Sequence, residues 1–475
     1  MTATMGQAME TTPRAVVDEI AADLETPVGA FLKLRGAGAR FLLESAETGG
    51  ALGRHSFIGF GSTEIEGGRD GTVRVHGPHG VSTEVCDDPL DAIQSRLAGA
   101  RPEADPPGHL LGGAVGMIAY DYVQTIERLP NAPPASGPLC RFVIVDSLVV
   151  FDHLKHRAAV LTRVGDGGRA RAEAKNRVLL EALAGGPPGD APDPAGEVVF
   201  EPVEPKQAYL DAVAEAKTHI LAGDIFQVVL SRSERVALRC DPFRIYRALR
   251  MGNPSPYMFY LDFGERKLVG SSPEMLVKLE GRRALLSPIA GTRPRGQDPD
   301  QDASLASDLL ADEKERAEHV MLVDLARNDL GRVARTGCVE VNHAMRIEKF
   351  SHVQHIVSDV TAGMAEGTDA FDLLRAAFPA GTVTGAPKIR AMEIINELER
   401  DNREAYAGCV GYVSPGGDMD ACLTIRTIQI EGDTATLRAG AGIVADSDPE
   451  REFQETEDKL AALKEAVRIA VEGGP

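Results

Sequence analysis

Tryptophan is absent from all 475 residues, an absence that by itself excludes no function. Other absences exclude more. No apolar run approaches the roughly eighteen residues a membrane-spanning helix needs. Positive charge is not in excess: 71 acidic residues stand against 51 basic ones, a formal net charge of −20. A role resting on phosphate contacts to nucleic acid is therefore disfavoured. The six cysteines, Cys86, Cys140, Cys240, Cys338, Cys409 and Cys422, contain no Cys-x-x-Cys pair. Neither a disulfide framework nor a zinc site is expected, and reduced thiols are the default. The opening MTATMGQAMETTPRAVVDEI has no basic segment followed by an apolar core. Residues 1–24 are read as a disordered lead-in, and the protein as cytoplasmic. The GAG at 440–442 is an incomplete GxGxxG with no helix directly after it, so no dinucleotide site is read there.

What is present is globular in composition, 43% hydrophobic, and long enough for two domains or one large one. A Gly-, Pro- and Ala-rich stretch at 179–204 reads as a linker or long surface loop. It divides an N-terminal region, 25–178, from a second region, 205–465. The first holds short β-like runs such as GRHSFIGFG and RFVIVDSLVVFDH. The second alternates helices and strands. KQAYLDAVAEAKTHILAGD is an amphipathic helix closed by Gly223, and TDAFDLLRAAF and KIRAMEIINELERD are further helices. FQVVLSRSERVAL and KLVGSSPEMLVKLEG read as strands, and DACLTIRTIQIEGDTATLRAGAGIVA as a strand pair turning at EGDT. Strands that come in pairs between helices predict an α+β layered fold with largely antiparallel sheets.

Several residues sit where structure alone gives them little reason to be. In the helix beginning DEKERAEHVML, Glu318 has Met321, Leu322 and Leu325 on its own face. It is either a border residue paired to an arginine or a ligand, since a lone buried carboxylate is costly. In the last helix Glu452, Glu455 and Lys459 lie beside an apolar stripe of Phe453, Leu460, Leu463 and Val467. Glu455 and Lys459 make an i,i+4 pair worth about 0.2–0.5 kcal/mol. Alternatively, two carboxylates from the two helices share a divalent cation; Mg²⁺ takes one or two carboxylates and keeps its other positions for water and substrate. AGAGIVADSDP presents backbone N–H groups as an anion nest. Arg426, mid-strand in CLTIRT, calls for a bidentate carboxylate, either a ligand or a buried glutamate. FPAGTVTGAPK, with Lys388, is either an anion site at a helix N-terminus or an ordinary capped turn. His355 in FSHVQHIVSDV and Glu274 in GSSPEMLV each admit a structural and a catalytic reading.

Taken in order, GDIFQVVLS, NPSPYMFYL, SSPEMLV, PIAGTRPRG, DEKERAEHVMLVDLARNDLGRV, HIVSDV, FPAGTVTGAPK, AYAGCVGY, DACLTIRT and AGAGIVADSDPEREFQETEDK closely resemble the chorismate-binding enzymes. The match runs almost continuously over 205–465, and FLLES and RHSFIG extend it into 25–165. Within that family the pattern is similar to the large subunits of anthranilate synthases. The resemblance implies a layered α/β/β/α sandwich, a catalytic region at 205–465 and a regulatory region at 25–178. It implies that chorismate and ammonia become anthranilate and pyruvate, with Mg²⁺ held by Glu318 and Glu455. Tyr406, Arg426 and the backbone of Gly440, Ala441 and Gly442 match positions that grip the enolpyruvyl carboxylate. Gln227, Gly291, Thr292, Thr382 and Lys459 match substrate-site positions, with Glu315 and Glu452 as further candidates. Glu274 matches the general acid and His355 the histidine of the elimination step.

Two positions separate sister enzymes. Relatives that add water carry lysine where this chain has Gln227, and aminodeoxychorismate synthases commonly read PIKGT where this chain has Ala290. A neutral Gln227 suits ammonia in place of water but does not separate the aminating enzymes from one another; Ala290 favours anthranilate, with an aminodeoxychorismate synthase or another chorismate-aminating enzyme as the alternative. The Tyr-Ala-Gly at 406–408, where the family often reads Tyr-Gly-Gly, is a departure that bears on local backbone geometry. GCVG at 408–411 resembles an amidotransferase nucleophile loop, but it lies inside AYAGCVGY and no His-x-Glu follows. A separate glutamine amidotransferase subunit is therefore implied. Glu44, Ser45, Pro256, Tyr257 and Met258 match a tryptophan-binding feedback site, and a chain free of tryptophan fits an enzyme made when tryptophan is scarce.

Overall fold

The strand Tyr257–Phe263 sets out the architecture in seven residues. In the computed structural model, which describes residues 15–45, 52–98, 112–165, 167–186, 197–349 and 353–472, Phe259, Leu261 and Phe263 enter one apolar cluster and Met258 and Tyr260 another. Successive side chains of a strand face opposite ways. A strand covered on both faces therefore reads as an almost unbroken apolar run. The alternation recurs at Leu148 and Val150 against Val149 and Phe151. The first cluster lies between two sheets, taking Phe41, Phe259 and Leu268 from one and Val115, Val143 and Val410 from the other. The second packs helices Pro27–Arg35, Pro242–Gly252 and Pro449–Val471 on the outside of the first sheet. A third packs Glu313–Gly331 and Ala370–Ala377 on the outside of the second. The expected α/β/β/α sandwich is what the chain forms.

Each sheet has twelve strands among the described residues. The first runs from Ala15–Ala21 through Phe41–Glu44, Tyr257–Phe263, Arg266–Ser272 and Thr427–Glu431 to Thr434–Ile443 and Gln227–Ala237. The second runs from Ile289–Pro294 and Val353–Met364 through Met275–Glu280, Met419–Leu423 and Cys409–Val413 to Gly113–Ile118 and Cys140–Val145. The pairings that build the centre are antiparallel. Early and late strands interleave: Phe41–Glu44 pairs with Tyr257–Phe263, and Gly113–Ile118 with Cys409–Val413. Two close approaches need glycine. A Cβ on Gly270 would lie 2.1 Å from the ring of Phe259 opposite it, and one on Gly59 would lie 1.8 Å from Phe41. No helix among the described residues is long and apolar enough to cross a membrane.

Some boundaries differ from expectation. The disordered lead-in does not extend to residue 24: Ala15–Ala21 is a strand paired with Arg157–Arg163, with Val16 buried. In AVVDEIA the exposed residues Val17, Glu19 and Ala21 alternate with the more covered Val16, Asp18 and Ile20, the pattern of an edge strand open on one face. Residues 1–14 lie outside the described residues. The stretch read as a linker begins inside a helix, Gly168–Ala184, which stops at Gly185 after burying Leu179 and Leu183. Glu201–Pro202 adds a short strand, and residues 187–196 lie outside the described residues.

Candidate active site

Two neighbouring strands leave the first sheet for the second side by side. Arg266–Ser272 lies in the first and Met275–Glu280 in the second; Thr427–Glu431 lies in the first and Met419–Leu423 in the second. Glu274 and Arg426 stand at these crossings. The N–H of Leu423 donates to the Glu274 carbonyl at 3.0 Å, and that of Ser271 to the Arg426 carbonyl at 3.1 Å, so the two crossings are tied together. Arg426 is thus not mid-strand, as CLTIRT suggests; it takes a φ of 51° in the left-handed region, which is uncommon outside glycine.

Thr382 Oγ1 donates to Glu274 Oε1 at 2.6 Å. Burial pushes the Glu274 carboxyl up to about 7, against the pull of Thr382 and Lys459. A carboxyl at that value is a proton donor near neutrality. Thr382 belongs to the turn Gly381–Val383, which rests on the helix Glu313–Gly331: a Cβ on Gly381 would meet Leu325 at 1.9 Å. Lys459 Nζ donates to the Gly440 carbonyl at 2.9 Å and pairs with Glu455 at 2.7 Å. The i,i+4 pair allowed by the sequence is therefore present.

Gly440, Ala441 and Gly442 lie opposite Ser231, Leu230 and Val229. A Cβ on Gly440 would be 2.7 Å from the Tyr406 hydroxyl, and one on Gly442 2.6 Å from Gln227 Nε2. Tyr406, Gln227 and this backbone therefore converge. Gln227 Oε1 is buried without a partner among the described residues. Arg426 Nη1 donates to the Lys459 carbonyl at 2.9 Å, and among the described residues the guanidinium makes no ion pair. Burial lowers its pKa, while Tyr406 and Glu455 work the other way. The buried Arg–Glu pair is not what forms. Ala407, in the position where a glycine was expected, takes a φ of 62° and donates its N–H to the Thr424 carbonyl at 3.0 Å. It keeps the backbone a glycine would adopt without strain.

On the other wall, Gly291 makes a bulge with a φ of 66° between Ala290 and Thr292. Its carbonyl accepts from His355 Nδ1 at 2.8 Å, and Thr292 Oγ1 lies 3.1 Å from the same nitrogen. Burial holds the imidazole below its ordinary pKa, so it is neutral. A Cβ on Gly291 would approach Glu315 Oε2 to 3.1 Å, and Arg293 reaches Glu315 Oε1 at 3.4 Å.

The carboxylates from the two helices face one another. Burial first, then Glu315 and Glu455, push Glu318 above its usual range, against Lys314 and a hydrogen bond from Gln227. Glu452 is raised by burial and by Glu455. Among the described residues no three acidic, histidine or cysteine side chains are arranged to hold a metal ion by themselves. Glu318, half-buried and crowded by like charge, is nonetheless the kind of group a divalent cation stabilises. Such a two-carboxylate donor set suits Mg²⁺ completed by water and substrate.

The remaining positions lie one strand away. Glu44 is opposite Met258 and accepts from the Tyr246 hydroxyl and, at 3.0 Å, from Arg250. Ser45 Oγ is buried with no partner among the described residues. Pro256 is buried, and the Tyr257 hydroxyl donates to Asp420 at 3.0 Å.

Lys388 is not an open anion site: both oxygens of Asp329 accept from its Nζ, at 2.9 and 2.8 Å. The sequence reading passed over Asp329, although it sits four residues after Leu325 and seven after Leu322, on the face that singled out Glu318. Burial of Cys409 pushes its thiol up to about 12, which leaves it inert as a nucleophile.

The model of the chorismate binding enzyme family matches residues 41–465. Anthranilate synthase component 1 of Thermus thermophilus is 47% identical, covering 95% of this chain and 97% of its own length. That of Streptomyces coelicolor is 45% identical, covering 94% and 88%. The crystal structure of anthranilate synthase component I from Streptococcus pneumoniae superposes with a TM-score of 0.78 at 35% identity, over 88% of this chain and 94% of that one. The menaquinone-specific isochorismate synthase of Escherichia coli, at 23% identity, shares the fold with a TM-score of 0.73, over 96% and 95%. On these likenesses, over nearly the whole of its length, the chain belongs to the chorismate binding enzyme family.

Proposed function

We propose that this chain is the large subunit of an anthranilate synthase, the committed step toward tryptophan. Chorismate and ammonia give anthranilate, pyruvate and water. The observation that carries the reading is the Glu274 carboxyl, held by Thr382 and raised to about 7, at the crossing next to that of Arg426, whose guanidinium makes no ion pair among the described residues.

In the first step the ammonia nitrogen bonds to ring C2 while Glu274 gives its proton to the departing C4 hydroxyl, which leaves as water. In the second the C2 proton is removed, the bond from C3 to the enolpyruvyl oxygen breaks, and the ring becomes aromatic. His355, neutral and fixed through Nδ1, serves this elimination. Arg426, Tyr406 and the 440–442 backbone hold the enolpyruvyl carboxylate, with Thr292 and Lys459 around the ring. Gln227 is neutral, as suits a nucleophile that needs no base. Glu318 and Glu455 would hold Mg²⁺, which supplies positive charge to the ring carboxylate of chorismate. Glu315 and Glu452 surround that pair. A separate glutamine amidotransferase supplies the ammonia, an assignment supported by the inert, buried Cys409. Tryptophan binds at Glu44, Ser45, Pro256, Tyr257 and Met258, a reading supported by the Ser45 hydroxyl, which has no partner among the described residues. The protein works in the cytoplasm.

The test is the purified chain with chorismate, Mg²⁺ and ammonium, followed by anthranilate fluorescence with and without tryptophan. Tryptophan-inhibited growth of fluorescence is the expected result. Chorismate consumed without fluorescence, with 4-amino-4-deoxychorismate found by mass spectrometry, would establish the sister activity instead. Substitution Glu318→Gln is expected to abolish Mg²⁺-dependent turnover; unchanged activity at limiting Mg²⁺ would remove Glu318 from the metal site.

A further inference from the structure

The Asp329–Lys388 pair takes no part in the reaction as derived, yet it is buried beside it. Both side chains are nearly closed off, with 8% and 11% exposure respectively. A cleft of about 40 Å³, partly open to solvent, is lined by both Asp329 and the proton donor Glu274. Its polar lining is Glu274, Thr382, Ser287 and Asp329, and its apolar wall includes Leu322 and Ala326. A cavity needs roughly 10–15 Å³ of such volume per water, so this one has room for two or three, with polar partners at both ends.

We propose that Asp329 and Lys388, through water in this cavity, form the proton route that recharges Glu274 between turnovers.

The inference rests on Glu274 being the acid of the proposed reaction. Each cycle Glu274 loses a proton to the C4 hydroxyl, which departs as water. The incoming ammonia surrenders a proton at C2, two ring carbons away, where it does not reach Glu274 directly. Overall the protons balance, but Glu274 must take one up from elsewhere. Its Oε1 is already engaged by Thr382, so Oε2 is the atom to be reprotonated. Lys388 keeps an edge of its side chain at the surface and links Asp329 to solvent. Burial raises Asp329 to about 6, even with Lys388 and Arg332 facing it. Glu274, faced by Thr382 and Lys459, stands at about 7, so a proton passes between the two carboxyls with little uphill cost. A clamp joining the helix end to the turn would need the ion pair but no cleft shared with the acid.

The experiment uses the full chain with ammonium as nitrogen source. In Asp329→Asn, kcat is expected to fall about tenfold or more, in the range of lost proton-transfer catalysis. KM for chorismate should stay within about twofold, the solvent deuterium effect on kcat should grow, and formate should restore part of the rate. The second variant, Ala326→Val, narrows the cavity without touching a charge; it should lower kcat with an enlarged solvent isotope effect. A wild-type isotope effect and kcat in both variants would overturn the route. So would a loss in Asp329→Asn confined to KM and thermal stability and unmoved by formate. Failure of the wild-type chain to make anthranilate would be a separate result, refuting the function and not the route.

Discussion

Glu274 concentrates the conflict between stability and activity in one side chain. Its folded-state pKa, about 7, lies above the ordinary carboxylate value of 4.5. The proton is therefore held more tightly in the folded chain than in the unfolded one. The associated stability is complete below about pH 4.5 and is lost as pH rises through about 7. At pH 8 the ionised buried carboxylate costs about 3 kcal/mol, from the size of the shift at 1.36 kcal/mol per unit. Glu274→Gln should therefore raise the urea midpoint at pH 8, change it little at pH 5, and lower kcat by at least about a hundredfold. In the wild-type chain, turnover corrected for free ammonia should decline above pH 7 as the acid loses its proton. At this scale the sequence was informative wherever a polar residue broke an apolar pattern. Glu318 stood out for that reason; Asp329 carried the same mark eleven residues on. Its partner Lys388 lies in a different helix, and no local pattern joins the two. That Arg426 makes no ion pair among the described residues was likewise invisible, because it depends on what the fold brings near.

At the scale of elements, the strand Arg266–Ser272 does the most. One edge pairs Ser272 with Tyr257 and Ser271 with Met258; the other pairs Gly270 with Thr427. Its end leads directly to Glu274. A ligand seated at Ser45 and Met258 would act on a strand whose tip carries the acid, a direct mechanical line between two sites. Ser45→Phe should fill the ligand's place and abolish tryptophan inhibition while leaving uninhibited kcat within about twofold; retained sensitivity would place the inhibitor elsewhere. Gly270→Ala should cost about 1–3 kcal/mol by urea denaturation, since its Cβ would fall 2.1 Å from the Phe259 ring. Helices were legible here: Gly223 closes Lys206–Ala222 as expected, with a φ of 83°. The crossings were not. KLVGSSPEMLVKLEG and DACLTIRTIQI keep their apolar character through the change of sheet, because both sheets bury both faces. Periodicity reports burial, not which sheet a strand joins.

For the whole molecule, the layering could be read from strands paired between helices, but the mixing of the two regions could not. Strand partners chosen across long separations leave no local trace. The composition break near 179–204 divides the chain and not the folded body, since both sheets draw on residues from either side of it. A fragment comprising residues 205–465 would expose the edges of Tyr257–Phe263 and Cys409–Val413 that Phe41–Glu44 and Gly113–Ile118 cover. It should be aggregation-prone and show no cooperative thermal transition, whereas the full chain should unfold in a sharp one. The same interleaving sets a timetable for synthesis. Phe41–Glu44 leaves the ribosome about 200 residues before its partner Tyr257–Phe263, a wait of roughly 10–40 s at 5–20 residues per second. Gly113–Ile118 waits longer still for Cys409–Val413. During that interval each strand is paired on one edge only, with His55–Phe60 and Cys140–Val145 respectively, so the yield in the cell is governed by how well the two open edges are shielded until the last third is made.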